Sequence, residues 1–358
     1  MTKKTIHIEA IDTLFFRDGK PFSMGDDVWA DGIFPPLPSV IYGALRSAYM
    51  FQKGITDPKQ VITDTKDFKI HNIYLLVNNA PYFTMPLDLV KFKDKDENEA
   101  KKIYFLKREQ FGSGSNVQKE ILYAPLRKKA DELEKGLLAS NRFVHYLNYN
   151  ESQIFADSLS KFITSEPKIG IARDNISRTT SGEAEGKMYR VNMQRLENAE
   201  ENKLKIAVEY ENLTLEDKGI VRLGGENKSV FYKHVDESKV KDFHLKPESL
   251  KSDILRVYLN TPAILENGYC PKAFLSSKDF ELLTYVIGKP IYAGGFDMAK
   301  QTPKPMYKAV PAGSVYYLKA ENPQQVFEHL YQNNPFNEVE GFSEQGFGKF
   351  YIGTTLNN

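Results

Sequence analysis

One cysteine, Cys270, is present in 358 residues, so neither an internal disulfide nor a multi-cysteine zinc site can form. An excess of one charge sign is also lacking: the formal charge is +1 and the pI about 7.7. That balance excludes a strongly basic, free-standing nucleic-acid binder and confines any such binding to local patches. No apolar run approaches the ~20 residues of a membrane-spanning helix. Met1-Thr2-Lys3-Lys4 leads into an alternating segment instead of the apolar core of a signal peptide. The expectation is a cytoplasmic protein with no membrane contact. Apolar residues make up 41% of the chain, enough for a core in each of two domains at this length.

Catalytic signatures are scarce too. Residues 182–187 (GEAEGK) place three residues between glycines where a Walker-type phosphate loop needs four, and Met188 stands where its magnesium-holding hydroxyl belongs. Patterns of the G-x-S-x-G, H-E-x-x-H or paired-cysteine type do not occur. The triplet Gly25-Asp26-Asp27, seen in polymerase palms, lies in a polar loop and reads as chance. Histidines at 7, 71, 145, 234, 244 and 329 are scattered. A metal-independent ribonuclease needs only a histidine gathered in space with a lysine or tyrosine, and His7 or His71 is the candidate for that role. With that alternative open, we expect no catalytic residue, no metal and no cofactor.

Residues 5–13 alternate as a strand. Pro36 and Pro38 delay the first helix and Ser39 is its expected N-cap. Val40, Ile41, Ala44, Leu45, Ala48 and Tyr49 then share one face, leaving Ser39, Gly43 and Arg46 opposite. Residues 68–77 and 81–88 read as strands joined by the hairpin turn Asn78-Asn79-Ala80. The charged and Gly-Ser segments within 91–120 suggest a surface insertion. Residues 126–147 suggest a helix broken near Gly136, with Phe143, Val144 and Leu147 inward. Residues 203–210 and 219–232 continue the strands. Residues 236–253, charged and poor in apolar side chains, mark the boundary between a first domain, 1–235, and a second, 236–358. In the second, 254–259 and 314–318 read as strands, and Asn322 caps a helix that buries Val326, Phe327 and Leu330.

Two segments point toward RNA. Residues 168–195 carry six basic side chains, Arg173, Arg178 and Lys187 among them, against three acidic ones. This is the pattern of a protruding basic hairpin, with a solvated loop as the plainer reading. Residues 341–352 (GFSEQGFGKFYI) set Gly346 and Gly348 around Phe347, ahead of Lys349 and a terminal strand. Bare backbone there can approach a phosphate. The order is similar to the RRM octamer, with Gln345 in place of its basic residue and Lys349 in place of its second aromatic; a bulge or tight turn is the alternative. Each half thus ends in a glycine turn feeding an aromatic strand, RLGGENKSVFY and QGFGKFYI, a pseudo-repeat. The expected fold is α+β, with two ferredoxin-like domains, a protruding hairpin and glycine-rich loops.

Several stretches in order, LFFRDGKPF (14–22), LPSVIYGALRSAY (37–49), residues 169–189, VRLGGE (221–226), AGGFD (293–297), VPAGSVYYL (310–318) and the final GFSEQGFGKF, resemble the RAMP superfamily of CRISPR systems. Within it they resemble the subunits that cap the crRNA 5′ tag in type III-B (Cmr) effectors. The resemblance implies two RRM-like domains and a non-catalytic role in antiviral defence, holding the repeat-derived 5′ tag. It also implies docking to a large polymerase-like subunit and to backbone RAMP subunits, and indirect contact with target RNA. Carried over by position, Ser39, Arg46, Arg173, Arg178, Lys187, Gly346, Phe347, Gly348 and Lys349 face the RNA. Residues 17–22 and 221–226 serve folding or a protein interface. Two rivals stay open: a RAMP endoribonuclease that processes precursor crRNA, and a purely architectural subunit whose glycine loops pack the domains together.

Overall fold

Two antiparallel sheets face each other across an aromatic core. The computed structural model describes residues 3–17, 29–30, 32–92, 103–110, 119–126, 130–131, 133, 135–150, 154–171, 177, 179, 188–197, 202–236, 238 and 240–356. The first sheet uses β1 (Lys4–Ala10), β2 (Lys69–Val77), β3 (Ala80–Thr84), β4 (Gly136–Ala139), β5 (Asp157–Ser158), β6 (Leu204–Glu211), β7 (Lys218–Arg222) and β8 (Ser229–Val235). Their spatial order is β5-β4-β3-β2-β6-β1-β8-β7. The second sheet uses β9 (Ile254–Leu259), β10 (Phe280–Val286), β11 (Val315–Ala320) and β12 (Phe350–Thr354), in the order β10-β11-β9-β12. All pairings within both are antiparallel, which with the packed helices makes an α+β protein. Those helices are α1 (Pro38–Gln52), α2 (Pro58–Asp64), α3 (Ser140–Leu147), α4 (Lys272–Ser276) and α5 (Pro323–Gln332).

Alternation along the strands sorts the apolar side chains into three layers. Ile73, Leu75 and Val77 of β2 with Ile206 and Val208 of β6 form a core with Ile41, Ala44, Leu45 and Ala48 of α1. Leu255, Val257 and Leu259 of β9 with Ile352 of β12 pack on Phe274 of α4 and Val326, Phe327 and Leu330 of α5. The opposite faces, Tyr74 and Leu76 on one sheet and Tyr258, Tyr317 and Tyr351 on the other, meet around Phe143, Tyr146 and Leu147 of α3.

Local chemistry explains the element ends. Asn78 and Asn79 have φ of 49° and 67°, the left-handed pair that a two-residue hairpin between β2 and β3 requires. Pro38 opens α1, where its missing N–H is no loss. The N-cap is Leu37, without a side-chain cap bond, so Ser39 lies inside the first turn instead of capping it. Asn322 does cap α5, its Oδ1 accepting from Gln325 N at 3.3 Å.

Residues 126–147 are not one broken helix. β4 pairs with β3 and β5, and its Leu137 and Leu138 are buried in different cores. A short run buried on both faces carries no periodicity to tell strand from helix. Among the described residues of this stretch only α3 is helical, and it turns Tyr146 inward while Val144 is exposed. The segment 91–120, expected to be a surface insertion, also reaches the core: Ile103 and Phe105 of the short strand Ile103–Phe105 are buried in the aromatic cluster, where they join Leu89. The triplet at 25–27 lies outside the described residues.

Candidate functional site

β2 pairs with β3 through Leu75, Leu76 and Val77 alone, which leaves the start of β2 with an open edge. The terminal glycine loop fills it. Ile70 N donates to Glu344 O at 2.8 Å, and a Cβ on Gly346, whose φ is +98°, would come within 2.9 Å of Ile70 Cγ2. The second sheet grips the same loop. Thr261 Oγ1 donates to Gly346 O at 2.7 Å and Asn260 N to Lys349 O at 2.7 Å. Asn260 Nδ2 reaches across to Asn72 Oδ1 at 2.9 Å and Ile73 O at 3.1 Å. The loop is therefore a seam between the sheets.

This seam revises the reading of the loop. The N–H groups of Gly346, Phe347, Gly348 and Lys349 donate to Ser343 O (3.1 Å), Phe342 O (3.1 Å), Pro262 O (2.8 Å) and Thr261 Oγ1 (2.9 Å). The backbone expected to be bare for a phosphate is thus already bonded. The Phe347 ring, expected on the outside, is 2% exposed among Leu37, Ile264, Ala293 and Ala309, edge-on to Phe342 at 5.4 Å. Lys349 Nζ donates to Ser343 O at 2.9 Å. Burial lowers its pKa to about 8, with Glu344 opposing and Lys69 and Lys3 adding to the shift. The other glycine turn packs in the same way: Gly225 N donates to Phe15 O at 2.8 Å. A Cβ on Gly224, φ +83°, would fall 2.4 Å from that oxygen, so residues 221–226 hold the β7–β8 turn on Phe15.

On α1, Ser39 is half-buried and Gly43 faces open space. Arg46 bends aside: Nη2 donates to Val61 O of α2 at 3.3 Å, and the guanidinium lies 5.4 Å from the Tyr42 ring centroid. Leu37 at the head of α1 shares a cluster with Phe347, so the helix start and the terminal loop adjoin. Thr164–Ile171 and Met188–Arg195 pair antiparallel from Thr164↔Arg195 to Ile171↔Met188. Arg173, Arg178 and Lys187, between these strands, lie outside the described residues.

Of the two candidate histidines, His71 is the more suggestive. It sits at an irregularity where β2 and β6 shift register, with Nε2 3.2 Å from Glu211 Oε2. Burial lowers its pKa most, Lys3 and Lys349 lower it further, and Glu211 opposes them. His7 is lowered by burial and then by Lys205. Among the described residues, no group of three His, Cys, Asp or Glu side chains could hold a metal. No helix there is long and apolar enough to cross a membrane.

Sequence reasoning missed the most deeply buried charges. Asp88 and Arg256 are fully buried, with Arg256 Nη1 donating to Asp88 Oδ2 at 3.3 Å. Asp88 also accepts from Tyr146 Oη at 3.0 Å and Tyr317 Oη at 2.8 Å. Arg256 donates to Thr354 O at 3.0 Å and to Tyr146 O, and its guanidinium lies 4.3 Å from the Tyr146 ring centroid and 4.8 Å from that of Phe105. Burial pushes Asp88 above the usual carboxylate range despite Arg256. Every side-chain nitrogen and oxygen of the pair has a hydrogen-bond partner, so the cluster ties α3 to β9, β11 and β12. An isolated arginine inside an apolar strand gives no local signal of this partner.

The Cas_Cmr3 family of CRISPR-associated proteins matches residues 6–355. The chain belongs to that family. The resemblance to RAMP-type subunits of type III-B effectors, read from its motifs, is thereby shown. A chain of the cryo-EM structure of the Type III-B Cmr-beta bound to cognate target RNA and AMPPnP, state 1, superposes with a TM-score of 0.52 at 15% identity, covering 96% of this chain and 94% of that one. A chain from the same complex bound to cognate target RNA gives 0.49 at 16%, over 92% and 89%. One from the Csm3–Csm4 subcomplex of the type III-A CRISPR-Cas interference complex gives 0.38 at 13%, over 88% and 94%. At 15% identity the first of these likenesses is one of fold. No curated protein sequence matches the chain.

Proposed function

We propose that this Cas_Cmr3-family chain is a non-catalytic, cytoplasmic subunit that holds the repeat-derived 5′ tag of a crRNA in a type III-B effector. In this reading it docks to the large polymerase-like subunit and to backbone RAMP subunits, and meets target RNA through them. The observation that carries the proposal is the family match from residue 6 to residue 355, which takes in both sheets and the terminal seam. Strand order supports the RRM-like part of the reading. β2-β6-β1-β8 and β10-β11-β9-β12 each run second-third-first-fourth in chain order, as in a ferredoxin-like unit, with the division between 1–235 and 236–358. Ser39 on the open side of α1, with Arg173, Arg178 and Lys187, supplies RNA contacts, while Arg46 and residues 346–349 fix the surfaces that present them. A formal charge of +1 suits a subunit whose other faces meet protein, because interface cores are depleted in charge.

The ribonuclease reading has one observation in its favour, His71 beside Glu211 in the field of Lys3 and Lys349. Incubating the full chain with repeat RNA in EDTA separates the two. Tag-dependent binding with intact RNA is expected; cleavage that disappears in His71→Ala would overturn the non-catalytic role.

A further inference from the structure

Ile291–Ala293 and Tyr307–Val310 pair as strands rooted beside Phe347 through Ala293 and Ala309. Between them Phe296–Asp297 pairs with Thr302–Pro303, forming a small ridge. Gly295, at φ +143°, takes a conformation that side chains disfavour, and its carbonyl accepts from Lys304 N at 2.9 Å. Asp297 Oδ1 accepts from Ala299 N at 3.0 Å and Lys300 N at 3.1 Å, which stiffens the tip.

The ridge gathers several exposed apolar side chains. Tyr292 is 41% exposed, Phe296 50%, Met298 63% and Met306 52%. Lys289, Lys300, Lys304 and Lys308 are interleaved with them and exposed. Among the described residues none of these lysines forms an ion pair. Asp297 is the one acidic residue between 282 and 320, and its carboxylate is bonded to its own turn.

We propose that this ridge, residues 289–308, is a single-stranded RNA contact surface separate from the terminal loop, with Phe296 stacking on a base and Lys300, Lys304 and Lys308 on phosphates. The inference rests on the RNA-binding role proposed above and adds a surface to it. Lysine is depleted in protein–protein interfaces, whereas exposed aromatic side chains set among lysines match the base and phosphate faces of an unpaired strand. A duplex has no free base face to offer Phe296.

The full chain is titrated against a fluorescein-labelled oligouridine of about 15 nucleotides, long enough for a single-strand site, and against tag-bearing RNA, at about 50 and about 200 mM salt. Phe296→Ala is expected to weaken oligouridine binding roughly 5- to 150-fold. A triple variant, Lys300→Gln, Lys304→Gln and Lys308→Gln, is expected to flatten the slope of log affinity against log salt by about 0.7 for each lost contact, about 2 in all. Both should melt with the parent protein, because the replaced groups are exposed. Variants that match the parent in affinity and slope overturn the ridge while the proposed function stands. Parent-like RNA binding combined with failure to assemble with the other complex subunits assigns the ridge to protein, which also overturns it. A parent protein that binds neither RNA removes the proposed function itself.

Discussion

Replacing Phe347 with alanine separates a loop that meets RNA directly from one that holds the sheets together. The ring is 2% exposed and enclosed by Leu37 from the head of α1, Ile264 after β9, Ala293 and Ala309 from the small sheet, and Phe342 from its own loop. Because these walls belong to different elements, the space left by the ring cannot close by one local shift. Truncating such a phenylalanine costs about 3 to 5 kcal/mol of stability, roughly 4 to 7 °C in melting temperature for a chain of this length. Losing a stacked base would instead weaken binding by about 1 to 3 kcal/mol and leave the melt alone. Calorimetry beside an RNA titration well below the melting range reads both quantities. We expect an early melt with near-parental affinity in the cold. An unchanged melt with lost affinity would refute the packing argument and return Phe347 to the RNA surface.

Further outcomes follow from the buried charges and the histidines. Asp88→Ala strands the Arg256 guanidinium without its carboxylate and should cost about 3 to 5 kcal/mol, measured by denaturant unfolding; a loss under 1 kcal/mol would mean that water already reaches the site. Burial holds His7, His71 and His234 below the ordinary histidine value, so their neutral forms are favoured in the fold. As pH falls below about 6.5 the unfolded chain takes up protons first, and stability present above that pH is lost. The loss between about pH 7 and pH 5 should be shallower in His71→Gln than in the parent; equal slopes would show that His71 titrates alike in both states.

How much of this could be read from the chain depended on how local each cause is. The Asn78-Asn79 turn, the buried face of α1 and the Asn322 cap are set by residues within a few positions, and all three stand in the structure. The strand at 136–139 escaped because Leu137 and Leu138 point into two different cores, which erases the periodicity on which such a reading rests. The glycine loop was misjudged for a longer-range reason. Whether Gly346 and Gly348 leave room for a ligand or for the protein itself is decided by Ile70 and Phe336, one far along the chain and both apolar. The family was legible nonetheless, because its motifs keep their order from the first strand to the last.

The most direct test of the account is photocrosslinking in the reconstituted effector, with thiouridine placed in turn at each position of the crRNA 5′ tag. The account predicts adducts between tag nucleotides and this chain, with the RNA uncut. Tag adducts found only on other subunits, with none on this chain at any position, would contradict it.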